Sequence, residues 1–294
     1  MVAPAPAIAC CGSEEFDALL ALLDQEFVFG KGRRLSLQQR FPATLDRQRA
    51  RNILLARADG GIASALVTKT FTWITPERNW RAAMIGMVYT RPELRARGVA
   101  SALMRASQAK LAEEGIEFAV LWTAQPDFYA RLGWSGIDCG TLGHAHAMAP
   151  DASRAAPPPG EADIAWAEAL RPRYAPERAE RTERTYATLL PPAQHLELLR
   201  GDAAYAIVGR DGDQGYLYEM LGDSAELPTL WARLATRYRS LYLNLGQGTA
   251  AQRFLSARDG IAWQPQRLAM WLPLAASARD ARFADWYVPF LDRI

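Results

Sequence analysis

The stretch Met84–Gly133 constrains this chain more than any other. It opens with Ile85-Gly86-Met87-Val88-Tyr89-Thr90, a run with strand character. Arg91-Pro92-Glu93-Leu94 follows, and Pro92 stops the strand from running on. Next come the turn Arg95-Ala96-Arg97-Gly98-Val99-Ala100 and a helical pattern over Ser101–Glu114. A second apolar run, Phe118–Trp122, leads to Phe128-Tyr129-Ala130-Arg131-Leu132-Gly133-Trp134. A helix start carries unpaired N–H groups and a partial positive charge, so a turn that aims them at one point binds phosphate. Gly98 permits close approach there, Ala100 is small, and Arg95 and Arg97 add positive charge. Alone, this turn says no more than phosphate.

The chain has 294 residues, which suggests two domains at roughly 150 residues each. The net charge is +2, and this balance gives no support for a nucleic-acid partner. Cys10, Cys11 and Cys139 are odd in number and two are adjacent, so no disulfide framework is implied and a reducing cytoplasm fits. His144 and His146 near Cys139 match no common metal spacing and read as a polar loop, so no metal is expected. No apolar run reaches the roughly 18 residues that a membrane span needs, and Met1–Gly12 lacks the basic start of a signal peptide.

In chain order, Ile8–Cys11 reads as a short strand. Ser13 then reads as the N-cap of an amphipathic helix through Phe27, which Gly30 and Gly32 stop. Leu35–Arg40 reads as a short helix, Ile53–Arg57 and Ile62–Trp73 as strands about the Asp59-Gly60-Gly61 turn. Residues 151–160 are Pro-rich and read as a linker, giving domains 1–150 and 161–294. Beyond it, helices are expected at Ala162–Leu170, Ala175–Leu190, Leu227–Tyr238 and Thr249–Leu255. Strands are expected at Ala204–Val208, Gly215–Leu221, Ser240–Leu245 and over Ile261–Leu274. The second half thus echoes the first in element order. Where the first half has its arginine-glycine turn, the second has Asp223 and Glu226, which would repel an anion.

Thr90-Arg91-Pro92 with Arg95-x-x-Gly98-x-Ala100 resembles the acetyl-CoA motif of the GNAT acyltransferase superfamily, usually written Gln/Arg-x-x-Gly-x-Gly/Ala. Phe128-Tyr129-x-x-x-Gly133-Trp134 resembles that family's later aromatic element, and the likeness covers about Ser13–Gly140. An active domain followed by a degenerate copy resembles the enhanced intracellular survival type of aminoglycoside acetyltransferase, without its third, sterol-carrier-like domain. Trp122, seven residues before Tyr129, also fits that type.

The resemblance implies an α+β fold of two GNAT-like domains. Each has a mixed, mostly antiparallel central sheet flanked by helices, and the first domain is catalytic. It implies an acetyl-CoA-dependent N-acetyltransferase that moves an acetyl group to an amine by direct attack, with acetyl-CoA as co-substrate. Backbone groups of Val88, Tyr89 and Thr90 would hold the pantetheine arm. The turn Arg95, Ala96, Arg97, Gly98, Val99, Ala100 and Ser101 would hold the pyrophosphate. Tyr129 would protonate the leaving thiolate, since a phenol pKa of ~10 lies near that of a thiol, ~8.5.

The expected partner is a small-molecule or peptide amine, with room left for a homo-oligomer; neither nucleic acid nor membrane is expected. Asp24, Glu26 and Glu93 are the candidate bases, alongside a water relay. Two alternatives stay open: a non-catalytic acyl-CoA-binding or interaction protein, and a transferase with another acyl donor or a hydroxyl acceptor. Against the motif roles stand plainer readings, a solvated helix start for Arg95–Ala100 and a half-buried core aromatic for Tyr129.

Overall fold

A computed structural model describes residues 6–58, 60–146, 159–181 and 196–294. Strand β1 is Ala7–Cys10, helix α1 Phe16–Phe27 and helix α2 Leu37–Arg40. Strands β2 (Ile53–Ala58), β3 (Gly61–Ile74) and β4 (Asn79–Thr90) follow, then α3 (Val99–Glu113), β5 (Phe118–Trp122) and α4 (Pro126–Ala130). Next come β6 (Ser135–Gly136), β7 (Gly140–Ala145), α5 (Glu161–Tyr174), β8 (Arg178–Ala179) and β9 (Leu196–Arg200). The chain continues with β10 (Ala204–Asp211), β11 (Gln214–Gly222), α6 (Leu227–Ala235), β12 (Ser240–Gly246) and α7 (Ala250–Ser256). It ends with β13 (Ile261–Pro265) and β14 (Ala269–Pro273).

Among the described residues these strands form two sheets. The first runs β1-β2-β3-β4-β5-β14-β6, with β8 paired to β3, and the second runs β13-β7-β12-β11-β10-β9. Pairing is antiparallel throughout except β4 with β5 and β11 with β12. Both sheets are therefore mixed and mostly antiparallel, as the resemblance implied. The chain changes sheet four times, entering the second at β7, returning to the first at β8, entering the second again at β9 and returning at β14. β7, which reads as a loop from its glycines and His144, lies between β12 and β13 of the second sheet. β14 returns to the first sheet beside β5.

The first helices follow from their sequence. Phe16, Leu19, Leu20 and Leu23 of α1 are buried on one helical face against β2 and β3. The cap lies two residues beyond Ser13, at Glu15, whose carboxylate accepts from Arg57 Nε at 2.9 Å. Ser36 and Gln39 form a capping box that starts α2. The expected helix over Ala175–Leu190 is absent where the chain is described, since Arg178 and Ala179 pair with Ile74 and Trp73. Residues 182–195, including His195, and most of the expected 151–160 linker lie outside the described residues.

The aromatic tail packs inward. Phe283 and Trp286 are buried with Trp73, Trp80, Phe118 and Trp271 on the first sheet. Beyond them, Asp292 is 2 % exposed and meets both Arg171 of α5 and Arg181. Arg181 also holds Glu219 of β11 at 2.8 Å, and Lys69 of β3 donates to the Asp292 carbonyl at 2.9 Å. This buried charge cluster ties the tail to β3 and to the second sheet at once.

Candidate functional site

The site begins where β4 and β5 part. The parallel pair is in register only over Ala82–Met84 and Phe118–Val120. Beyond it β5 keeps β14 as its partner, while β4 stays with β3 through a bulge between Ala65 and Val67. Met87 sits in the bulge at φ +53°, a left-handed conformation unusual for a side chain of its size. Gly86 and Trp122 hold equivalent register positions on the two strands, yet the strands no longer bond there. The space beside Gly86 is taken by Ile294, whose Cγ1 and carbonyl O lie 3.1 Å from where a Cβ on Gly86 would stand.

The parting frees backbone groups. Arg91 N–H donates to the Ala63 carbonyl at 2.9 Å, so the Tyr89–Ala65 pair two residues back is also a bonded one. Tyr89 therefore turns its backbone to β3, where its carbonyl also accepts from the Ser64 hydroxyl. Strand alternation turns the N–H and C=O of Val88, and the N–H of Thr90, toward the gap. The Thr90 carbonyl is engaged by Arg95 Nε at 3.0 Å.

The turn at the end of β4 has the conformation its sequence implies. Ala96 is at φ +60° and Gly98 at φ +80°, and Gly98 is the N-cap of α3 with no side-chain cap. The space where a Cβ on Gly98 would stand is open to 4 Å, so the N–H groups opening α3 are unobstructed. Arg97 is exposed and makes no ion pair among the described residues, whereas Arg95 is bound to Glu26 at 3.1 Å. Val99 is buried under the helix, and Ala100 and Ser101 are half-buried in its first turn.

Tyr129, on α4, is 9 % exposed and packs edge-on to Phe128 and Trp134. Its hydroxyl has no hydrogen-bond partner among the described residues, and burial pushes its pKa up to about 12. The phenol is therefore protonated throughout the neutral range. Burial acts on thiols in the same direction in this protein, raising Cys11 and Cys139 to about 11.

The three candidate bases are all engaged. Asp24 is 8 % exposed and accepts the Leu37 N–H at 2.6 Å, Glu26 holds Arg95, and Glu93 pairs with Arg91 at 2.7 Å. In the second half, Glu226 accepts from the N–H groups of Asp202 and Ala203 at 2.8 and 2.7 Å, and Asp223 from Ala225 at 3.0 Å. Two carboxylates thus stand just before α6, and Glu226 turns to the chain between β9 and β10 and does not cap the helix. Among the described residues no cluster of three metal-ligating side chains occurs and no helix is long and apolar enough to cross a membrane.

Two features of the site lie outside the motifs. Met87 carries no signal of its own, since a positive φ at a non-glycine residue is imposed by the bulge. Arg293 stacks over Trp122 with its Cζ 4.7 Å from the ring centroid, and that contact joins segments far apart in sequence.

Residues 10–137 match the family model of the acetyltransferase (GNAT) domain. No curated protein matches the chain by sequence. Among solved structures, a GCN5-related N-acetyltransferase from Anabaena variabilis superposes with a TM-score of 0.72 at 16 % identity, over 92 % of this chain and 73 % of its own. Eis1 from Mycobacterium abscessus gives 0.65 at 12 % identity, over 92 % and 75 %. A tandem GNAT protein from the clavulanic acid biosynthesis pathway gives 0.54 at 12 % identity, over 92 % and 98 %. The fold is thus similar to that of GNAT proteins, a tandem one among them, and the family-model match lies in the first half of the chain.

Proposed function

We propose that this chain is an acetyl-CoA-dependent N-acetyltransferase and that Met84–Gly133 is its donor site. The observation that carries this reading is the parting of β4 from β5 after Met84, directly before an unobstructed α3 start at Gly98. A long, thin ligand with an anionic end and an acyl thioester end fits that arrangement. The N–H groups opening α3, with Arg97, would meet the pyrophosphate. The backbone of Val88 and the N–H of Thr90 would meet the pantetheine arm and the thioester carbonyl.

Acetyl-CoA supplies an acyl group already activated as a thioester. In the balanced reaction a bond forms from the amine nitrogen to the acyl carbon, the carbon–sulfur bond breaks, and amide and free thiol result. The amine gives up a proton before or during attack; Asp24, Glu26 and Glu93 each already hold a partner, and a water relay is the carrier this reading adopts. Tyr129 holds a proton for the departing sulfur and recovers it from solvent. Its raised pKa does not defeat this role, since a thiol buried beside it would be raised in the same direction.

The test is an amine panel with acetyl-CoA, following free thiol, beside calorimetry of acetyl-CoA with the wild type and Gly98→Glu. Thiol release with an amine, and binding lost in Gly98→Glu, are the expected results. Binding without release on any amine would make the chain an acyl-CoA-binding protein instead.

A further inference from the structure

The donor site leaves one large feature of the molecule unexplained. A cavity of about 800 Å³ lies between the α1–α2 region and the face of the second sheet opposite α6 and α7. That volume suits a small molecule, for which pockets of roughly 300–1,000 Å³ are usual. Helix α5 covers only the β10 side of this face, through Trp166 against Tyr205 and Ile207. The other side is bare, and its composition is unusual.

Its floor is a ladder of parallel rings. His144 of β7, Tyr242 of β12 and Tyr216 of β11 occupy one row of the sheet, in direct register. Tyr242 stacks on His144 at 4.1 Å and 14°, and on Tyr216 at 5.2 Å and 12°. Tyr242 is nonetheless 38 % exposed, so this stack is not the underside of a packed layer. Burial, with His146 adding to it, pulls the His144 pKa down, so the ring is neutral and its Nε2 has no partner among the described residues.

The opposing wall is positive. Arg33 and Arg40 line the cavity and neither forms an ion pair among the described residues. Arg40 is half-buried; its pKa is lowered first by that burial and then by Arg33, with the Tyr218 hydroxyl near it. A half-buried guanidinium facing a like charge is costly unless an anion comes between them. Asp211, on the same rim, acts on the Tyr216 phenol and does not neutralise the pair. Because the stacked rings cover one another's faces, the ladder offers ring edges, and these edges beside unpaired guanidinium groups are complementary to a planar ring, met edge to face, that bears an acid.

The cavity also adjoins the donor site. Phe290 lines it and stacks on Tyr218 at 5.1 Å. Arg293 lies 6.0 Å from Phe290 and 4.7 Å from Trp122, the last residue of β5 at the gap. The Phe290–Ile294 segment thus runs from the cavity, at Phe290, to the parted strands, at Arg293 and Ile294.

We infer that this cavity is the acceptor subsite and that the acceptor is an amine carrying a planar aromatic ring and an acidic group. The ring lies against the Tyr216–Tyr242–His144 ladder and the acid meets Arg33 and Arg40. The inference rests on the transferase reading above, whose amine acceptor it specifies.

Three related probes separate the two halves of the claim. 4-(Aminomethyl)benzoate has ring, acid and amine; benzylamine lacks the acid; trans-4-(aminomethyl)cyclohexanecarboxylate lacks the aromatic ring. Calorimetry without acetyl-CoA, and thiol release with it, are read for each. The expected result is binding and kcat/KM for the first probe at least roughly fivefold above either control. Arg40→Ala should remove its advantage over benzylamine, and Tyr242→Ala its advantage over the cyclohexane acid. Both positions are partly exposed, and an unchanged melting temperature confirms that each variant is folded. Equal values for all three probes, or an advantage that survives both substitutions, would overturn the inference while leaving the transferase intact. A tight ring-acid that is never acetylated, beside other amines that are, would also overturn it. A chain that releases no thiol with any amine fails at the transferase reading itself.

Discussion

Arg95 is held between Glu26 and the end of the strand it follows: its Nη2 lies 3.1 Å from Glu26 Oε1 and its Nε donates to the Thr90 carbonyl at 3.0 Å. The ion pair is largely exposed, so its worth to stability is at most about 1 kcal/mol. Its effect is positional: α1, the end of β4 and the turn are joined at one guanidinium. The charge free to meet a phosphate is that of Arg97.

Arg97→Ala should therefore weaken acetyl-CoA binding by about fivefold, the effect of one unit charge pair at close range in water. The loss should shrink as salt is raised, because an exposed charge is screened. Arg95→Lys should act differently, since a lysine keeps the charge and loses the fork that reaches both Glu26 and Thr90. Titrations at low and high salt check both. An Arg97→Ala loss that ignores salt would mean that the residue acts through the turn's shape.

Gly98 is needed for its backbone angle more than for its space. At φ +80° any side chain is strained by about 1–2 kcal/mol, although nothing lies within 4 Å of its Cβ position. Gly98→Ala should lower the melting temperature by only a few degrees, while Gly98→Glu should match it in stability and abolish acetyl-CoA binding. Thermal melts beside calorimetry separate the two effects. Retained affinity in Gly98→Glu would remove the pyrophosphate from this turn.

Tyr129→Phe should keep acetyl-CoA affinity and lower turnover by roughly 100-fold, the usual scale of one positioned acid. Because burial holds the Tyr129 hydroxyl at about 12, the wild-type rate should show no alkaline fall from this group below about pH 11. A fall near pH 10 that disappears in the Phe variant would show a phenol less buried than the structure has it.

The turn and the aromatic that we propose as the donor half of the site were legible in the sequence because they are local. Arg95–Ser101 and Tyr129 sit in one contiguous strand–turn–helix–strand unit, and Gly98 has the left-handed angle that its place in the motif implies. Long-range choices were not legible. Gly140 and Gly143 are poor strand formers and His144 is polar, so β7 reads as a loop; its strand state comes from lying between β12 and β13. The apolar run Ile261–Leu274 reads as one interrupted strand, yet Pro265 ends β13 in one sheet and Ala269 opens β14 in the other. The ring ladder was hidden for the same reason, since His144, Tyr216 and Tyr242 become neighbours only through register.

Asp292 gives a prediction about stability that depends on pH. Burial alone would push its carboxyl up, but Arg181 and then Arg171 overcome this and hold it below its ordinary value; Glu219 is held down in the same way. A carboxyl whose folded pKa is depressed contributes stability that is fully present above its unfolded pKa. That contribution is lost as pH falls through the folded value. Wild-type stability should thus be flat near neutrality and fall on acidification below the usual carboxylate range. Asp292→Asn should lose about 3–5 kcal/mol at neutral pH, because Arg181 and Arg171 stay buried with one partner fewer. Its stability should then fall less steeply in acid, having one depressed carboxyl fewer to protonate. Denaturant melts of both proteins across the acid range read this out. Parallel curves would place the acid sensitivity elsewhere. The same variant frees the segment that sets Ile294 against Gly86 and Arg293 against Trp122, so its activity should fall even where the protein remains folded.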